Sequence, residues 1–391
     1  MQLLHTEDYG KIPAMKRFDD PILVARPYLP DLDTFKAGCE EIWRNRWLSN
    51  NGPMLKRFTG ELSDYLGVPE SNMALFVNGT LALELGFYAL GLSGGEVVTT
   101  PYTFVATSHA LKRIGATPVF ADVDPETLCL SPEAAERAIT SRTKAIVPVH
   151  VYGHPCDTEG FARLGEKYGV KIVYDAAHAF GEMLDGRSIA ACGDMSMFSF
   201  HPTKLFHSCE GGLLAFRDAS LQESLFNLRN FAIRGELSCM DVGTNAKMNE
   251  LQALMGIECL KAMDAILASR AEIHAVYREA FAGCEAVRFA DPRAFAAGRR
   301  FAPNFSYCPI LFRDFETRER VYAVLKENCN VFARRYFYPL LTDFAPYAYG
   351  RGSCPVAEDA SRRVLTLPTY FGLSADDARA IAEDVLEVIE Q

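Results

Sequence analysis

Between residues 74 and 216 short apolar runs recur, at 74–77, 96–100, 118–122, 145–149, 171–175, 195–200 and 213–216. Their length and the turn residues that bound them predict buried strands. Between these runs the apolar positions shift to helical spacing, over 81–90, onward to 114, over 132–139 and over 156–168. Such alternation of strand and helix implies an α/β fold, a mostly parallel sheet with helices on both faces. Helical spacing also precedes the first strand, over 33–47, where Phe35, Cys39, Ile42, Trp43 and Trp47 are apolar, and over 54–66. It returns over 221–229 and in a long pattern to about 281, which fits a connector between two domains. The remainder mixes a strand-like run at 304–311 with amphipathic helices at 317–327 and 375–390. The chain thus divides into an irregular, Pro-rich arm (1–30), a large domain (31–250), and a connecting helix with a smaller C-terminal α+β domain (251–391).

Composition narrows the class. At 391 residues, with 49% hydrophobic and 23% charged positions, the chain reads as a soluble globular enzyme. A net charge of −10 argues against nucleic acid or an anionic membrane surface as partner. No apolar run reaches membrane-spanning length. Residues 1–13 carry charges and no apolar centre, so no signal peptide is expected. Eleven cysteines without a C-x-x-C pair read as reduced thiols of a cytoplasmic protein. His150 and His154 lie in a Gly/Pro turn without H-E-x-x-H, so no metal is expected.

The candidate chemistry gathers at predicted strand ends. The stretch from Ser199 to Gly212 follows one apolar run and precedes another, and it carries Lys204 with a serine, two histidines and Glu210. Burial disfavours an ammonium, so a lysine held there becomes a usable nucleophile and base. Asp175 closes the preceding strand, where open α/β sheets bind ligands, and small residues at 176, 177 and 179 let something flat approach. An Asp and a Lys on neighbouring strand ends form the pair a pyridoxal phosphate site needs, although Asp175 would also serve as a helix N-cap. Asn78-Gly79-Thr80 opens a helix whose first N–H groups can hold a phosphate, or is an ordinary capped turn. Phe104, just past a strand end, can stack on a planar cofactor or pack in the core. The turn at 48–53 ends a helix or faces a ligand, and Arg334-Arg335-Tyr336 suits a pyrophosphate and a sugar or base face, or forms surface salt bridges. Gly91-Leu92-Ser93-Gly94-Gly95 matches G-x-S-x-G, but it follows a helix and precedes a strand, the reverse of a nucleophile elbow.

These stretches carry a resemblance that covers nearly the whole chain. W-L-S-N-N-G-P at 47–53, N-G-T at 78–80, P-Y-T-F-V-A-T at 101–107, V-H-V-Y-G-H-P at 149–155, Y-D-A-A-H-A-F-G at 174–181, F-S-F-H-P-T-K with E-G-G, and N-A-K-M-N-E at 245–250 occur in this order. Together they resemble the DegT/DnrJ/EryC1/StrS sugar aminotransferases, a branch of the fold-type I, aspartate aminotransferase-like enzymes. One departure is N-G-T, where the family usually has S-G-T. The resemblance implies pyridoxal 5'-phosphate as cofactor, Lys204 as its Schiff-base lysine, and Asp175 on the pyridinium nitrogen. It implies His178 near the ring hydroxyl, Phe104 stacked on the ring, and Gly79, Thr80 and Ser199 on the phosphate. It further implies a homodimer in which Asn245, with Lys247, reaches the other subunit's site. L-glutamate would be the donor. The lysine loop resembles the branch that aminates C4 of nucleotide-linked 4-keto-6-deoxyhexoses, with dTDP-4-amino-4,6-dideoxyglucose as product and O-antigen as its use. Lys247, Arg334 and Arg335 would then meet the diphosphate, and His150, His201 and Tyr336 the sugar. UDP- or GDP-linked acceptors and a C3 ketone stay open. Related sugar dehydratases replace the lysine with histidine, and a noncatalytic relative would tolerate loss of Lys204 or Asp175.

Overall fold

The computed structural model describes residues 17–290 and 299–390; residues 1–16 of the expected arm lie outside them. Its centre is a seven-stranded sheet, in the order Met73–Phe76, Gly212–Phe216, Met195–Ser199, Lys171–Asp175, Thr143–Val147, Glu96–Thr99, Thr117–Phe120. Gly212–Phe216 runs antiparallel to both its neighbours, and the other pairings are parallel. Three of these strands are buried along their whole length and three others over all but one or two positions, which is why they read as apolar runs rather than alternating ones.

Side chains from successive strand positions enter different cores. Leu214, Val97, Val147 and Met195 pack on one face with the helix Gly79–Ala89. Leu213, Phe198 and Phe200 meet the helix Pro53–Leu66 on the other. Beside them, Val98, Ile146 and Tyr174 share a cluster with Leu311, Phe337, Tyr347 and Cys354 from the C-terminal third. This last cluster therefore runs beneath both parts of the chain.

The long helical pattern is two helices, Glu250–Lys261 and Met263–Ala280, with Ala262 at φ −94°, ψ 1° between them. The first packs on Pro53–Leu66 and the second on Ala375–Glu390, so the break redirects the chain from one part to the other. Glu250 fixes the start of this connector. Its buried carboxylate accepts the N–H groups of Met54 (2.7 Å) and Leu55 (3.1 Å), capping the helix that follows the 48–53 turn. The C-terminal part holds an antiparallel sheet of Val287–Phe289, Cys308–Phe312 and Val364–Leu367 under Phe315–Glu327 and Ala375–Glu390. The described piece of the arm is strapped to it. Ile22–Leu23 pairs parallel with Val331–Phe332, and Arg17 forms ion pairs with Glu383 and Asp384.

Candidate active site

A cavity of about 370 Å³ opens at the C-terminal ends of the parallel strands, within the size range of small-molecule sites. Seven residues singled out in the sequence line it: Gly79, Thr80, Phe104, Asp175, His178, Ser199 and Lys204. His201 and Tyr336 line it as well.

At its base, Asp175 ends its strand buried, and each carboxylate oxygen has one donor. Thr107 Oγ1 donates to Oδ2 at 2.7 Å, and the Ala177 N–H donates to Oδ1 at 3.1 Å. Burial pushes its pKa above the ordinary carboxylate value, against the pull of Thr107, Ala177 and Lys204. Lys204 comes from the loop between the Met195–Ser199 and Gly212–Phe216 strands. Burial lowers its pKa, while Tyr336 and Asp175 pull the other way. Its Nζ lies 3.4 Å from the Tyr307 hydroxyl.

His178 is buried and neutral, its pKa driven well below the ordinary value by burial and then by Lys204 and His154. Its Nδ1 accepts the Tyr152 N–H at 3.1 Å, which assigns the ring proton to Nε2. The Phe337 ring stacks on it at 6.2 Å and 9°. Its carbonyl accepts from Asn304 Nδ2 and the Ser306 hydroxyl, tying the Asp175–His178 turn to the C-terminal part.

On one wall the helix Gly79–Ala89 begins. Asn78 is its N-cap, accepting the Leu81 N–H at 2.9 Å and leaving the Gly79 and Thr80 N–H groups at the helix start. Asn thus caps where the family usually has Ser. A side chain on Gly212 would stand 2.5 Å from the Asn78 carbonyl oxygen and 2.8 Å from the Gly79 nitrogen, so glycine there lets the two backbones lie together. Phe104, the residue before the helix Val105–Arg113, is 58% exposed; it faces the cavity rather than the core. At the rim, His201 Nε2 is 3.6 Å from Glu210, and its Nδ1 meets the Thr203 hydroxyl at 2.8 Å.

The remaining sequence candidates lie elsewhere. His150 is fully buried, stacked on Tyr174 at 4.7 Å, with Nδ1 accepting the Cys156 N–H, and burial lowers its pKa to about 3. It does not line the cavity. Arg335 is held by Glu319 at 2.9 and 3.0 Å and lies over the Tyr322 ring, which is the salt-bridge alternative. Arg334 is exposed and pairs with Thr366 through its backbone. Asn245 is exposed and outside this cavity, bridged to Asn230. Lys247 bonds Asn230 and lines a separate 50 Å³ cleft with Asn50, Asn51 and Arg229. Sequence reasoning gave no role to Thr107 or Tyr307. Thr107 sits one helical turn from Phe104, a signal that becomes usable only once Asp175 is known to face it.

The sequence pattern of the DegT/DnrJ/EryC1/StrS aminotransferase family matches residues 31–386. The chain belongs to that family. It is 41% identical over 374 residues to the dTDP-4-amino-4,6-dideoxy-D-glucose transaminase of Shigella dysenteriae, covering 95% of this chain and 100% of that one. To the Escherichia coli protein of the same name it is 36% identical, over 92% and 96% of the two chains. Among solved structures, DesI, crystallised in the presence of its TDP-sugar product, superposes with a TM-score of 0.88 at 36% identity, covering 96% of this chain and 94% of DesI. The chain is a pyridoxal-phosphate-dependent aminotransferase. Its cavity fits that cofactor. Asp175 is buried with lone pairs left for a ring nitrogen, a lysine amine stands in the same cavity, and a capped helix start with free N–H groups lies on the wall.

Proposed function

We propose that the enzyme transfers the amino group of L-glutamate to C4 of a nucleotide-linked 4-keto-6-deoxyhexose. The acceptor is dTDP-4-keto-6-deoxy-D-glucose and the product dTDP-4-amino-4,6-dideoxy-D-glucose, which supplies O-antigen or another glycan. The observation that carries this reading is the pair of full-length relatives of that name at 41% and 36% identity. Relatives named GDP-perosamine synthase match less closely, at 30–32%.

When bound, pyridoxal phosphate supplies the electron sink of the reaction. Asp175 holds the ring nitrogen protonated. Gly79, Thr80 and Ser199 receive the phosphate, and Phe104 covers one ring face. His178 offers its Nε2 proton to the ring hydroxyl. Lys204 would hold the cofactor through its amine and, once that amine is free, would take a proton from the donor's α-carbon and deliver it on the far side of the substrate nitrogen. For the sugar the same residues run in reverse, with His201 and Tyr336 at the mouth.

The working unit is a homodimer in the cytoplasm. In support, the hairpin of Ile233–Arg234 and Ser238–Cys239 carries Leu237 at 99% exposure, with Met240 and Val242 exposed beyond it, next to exposed Asn245. A second copy covering that hairpin would bring Asn245 and the Lys247 cleft to the other site, where the cation meets the diphosphate. No described helix is long and apolar enough to cross a membrane.

Competition at equal concentration between dTDP- and UDP-linked 4-keto-6-deoxyglucose and a dTDP-linked 3-keto sugar tests the assignment. The dTDP-4-keto compound is expected to show the highest kcat/KM. A preference for the 3-keto sugar overturns the regiochemistry, and a preference for the UDP compound overturns the nucleotide alone.

A further inference from the structure

The amine of Lys204 has one side-chain hydrogen-bond partner among the described residues. Nζ stands 3.4 Å from the Tyr307 hydroxyl and 5.9 Å from the ring centroid. Tyr307 comes from the other part of the fold. It immediately precedes the strand Cys308–Phe312 and faces the lysine loop across the cavity.

Its placement is rigidly built. The ring is 7% exposed and meets three neighbours edge-on: His178 at 4.7 Å, Tyr336 at 5.8 Å and Tyr152 at 6.3 Å. The backbone before it is pinned. The Ser306 N–H donates to Asn304 Oδ1, and the buried Arg270 guanidinium donates to the Phe305 and Ser306 carbonyls at 3.3 and 2.9 Å. Phe305, at φ 53°, lies in the left-handed region, a conformation that this surrounding set of bonds supports. So many fixed contacts on one phenol imply that its oxygen has a required position.

We propose that Tyr307 is a positioning residue whose hydroxyl holds the Lys204 amine, whenever that amine is free, in the orientation from which it moves the proton. When Lys204 carries the proton, an ammonium N–H donates to the Tyr307 oxygen. When it has given the proton up, the Tyr307 O–H donates to the amine lone pair. The proton passes from the donor's α-carbon to Lys204 and on to the carbon across the substrate nitrogen, and the phenol gains and loses none. Burial supports this, pushing the Tyr307 pKa up to about 12, so the hydroxyl stays neutral at working pH. Without such an anchor the four-carbon lysine side chain has more rotamers open to it. The inference rests on Lys204 carrying the reaction and is independent of which sugar is aminated.

Tyr307→Phe removes the oxygen and keeps the ring. With glutamate alone, in single turnover, the variant should lose roughly 10- to 100-fold in rate. Its KM for glutamate should stay within about twofold, and the isotope effect with α-deuterated glutamate should rise, because proton movement becomes slower than the other steps. A second readout needs no turnover. In the cofactor-free protein, competitive acetylation of Lys204 read by mass spectrometry should show the amine becoming reactive at lower pH, since the ammonium has lost an acceptor. Incorporating 3-fluorotyrosine at 307 keeps ring and oxygen but acidifies the hydroxyl. It should bring down the alkaline limb of the rate, and it tests the idea even where Tyr307→Phe folds poorly. An unchanged single-turnover rate and an unchanged acetylation profile in Tyr307→Phe overturn the proposal. A glutamate half-reaction that survives in Lys204→Ala overturns the role of Lys204 itself.

Discussion

Thr107→Val is a sharp test of how the base of the cavity works, because it removes a hydroxyl and little else. Thr107 is buried, and its proton is committed to Asp175 Oδ2 at 2.7 Å, so at 3.1 Å it can only accept from the Thr103 hydroxyl. Valine breaks both bonds. A hydrogen bond to a buried carboxylate contributes about 1.5–3 kcal/mol. Converted at 1.4 kcal/mol per tenfold, that is roughly 10- to 100-fold in the ratio of ionised to protonated Asp175. The sign follows from the balance of causes. Burial raises the Asp175 pKa, and the Thr107 bond is the larger of the two hydrogen bonds that lower it. Removing that bond raises it further. The carboxylate that must hold a protonated ring nitrogen is then lost at a higher pH as the solution is acidified. Cofactor Kd measured by absorbance should therefore rise more at pH 6 than at pH 8, and the acid limb of kcat/KM for glutamate should move toward neutral. In the cofactor-free protein the linkage runs the other way. A group whose folded pKa is raised contributes stability below its unfolded pKa and loses it as pH rises through the folded value. Tm of the cofactor-free variant should accordingly fall, relative to the parent, as pH rises through the carboxylate range. Parallel Kd and Tm profiles for variant and parent at every pH would refute this account of Asp175.

Gly212→Ala should cost about 1–3 kcal/mol in chemical denaturation and weaken cofactor binding, because the added carbon meets only backbone, at 2.5 Å and 2.8 Å. Gly60→Ala is its control: the new Cβ meets only Glu70 Oε1 at 3.5 Å inside a helix, so stability should rise by up to about 1 kcal/mol. Mixed Lys204→Ala and Asn245→Ala chains, each inactive alone, should regain part of the activity after subunit exchange. No recovery with exchange verified by mass spectrometry counts against a site built from two chains.

The sheet was legible because its strands are buried on both faces. Most therefore appear as short, largely apolar runs, and the run at 171–175 coincides with the strand Lys171–Asp175. The gathering of Gly79, Phe104, Asp175, Ser199 and Lys204 follows from the same cause, since all five stand at or just beyond strand ends on one edge of the sheet. The break at Ala262 had no signal. Leu, Lys, Ala and Met around it are all good helix formers, and the turn comes from the change of packing partner. Thr107 and Tyr307 were illegible for a different reason. Their partners lie 68 and 103 residues away, and no local pattern marks a hydroxyl that meets a distant charge. His150 misled because its neighbour Val149 does line the cavity, while the histidine itself packs on Tyr174. The Arg335 cation is taken by Glu319, on another element sixteen positions earlier.

The core shared by the sheet and the C-terminal third limits how this enzyme can move. Phe337 stacks on His178 at the cavity wall and packs in the same cluster as Val98, Ile146 and Tyr347. Swinging the two parts apart would shear interlocked side chains that are packed like a crystal. This packing favours a fixed slot over a jaw. Donor and acceptor must occupy the same slot in turn, each leaving before the other enters. Excess of either one is then expected to block the other.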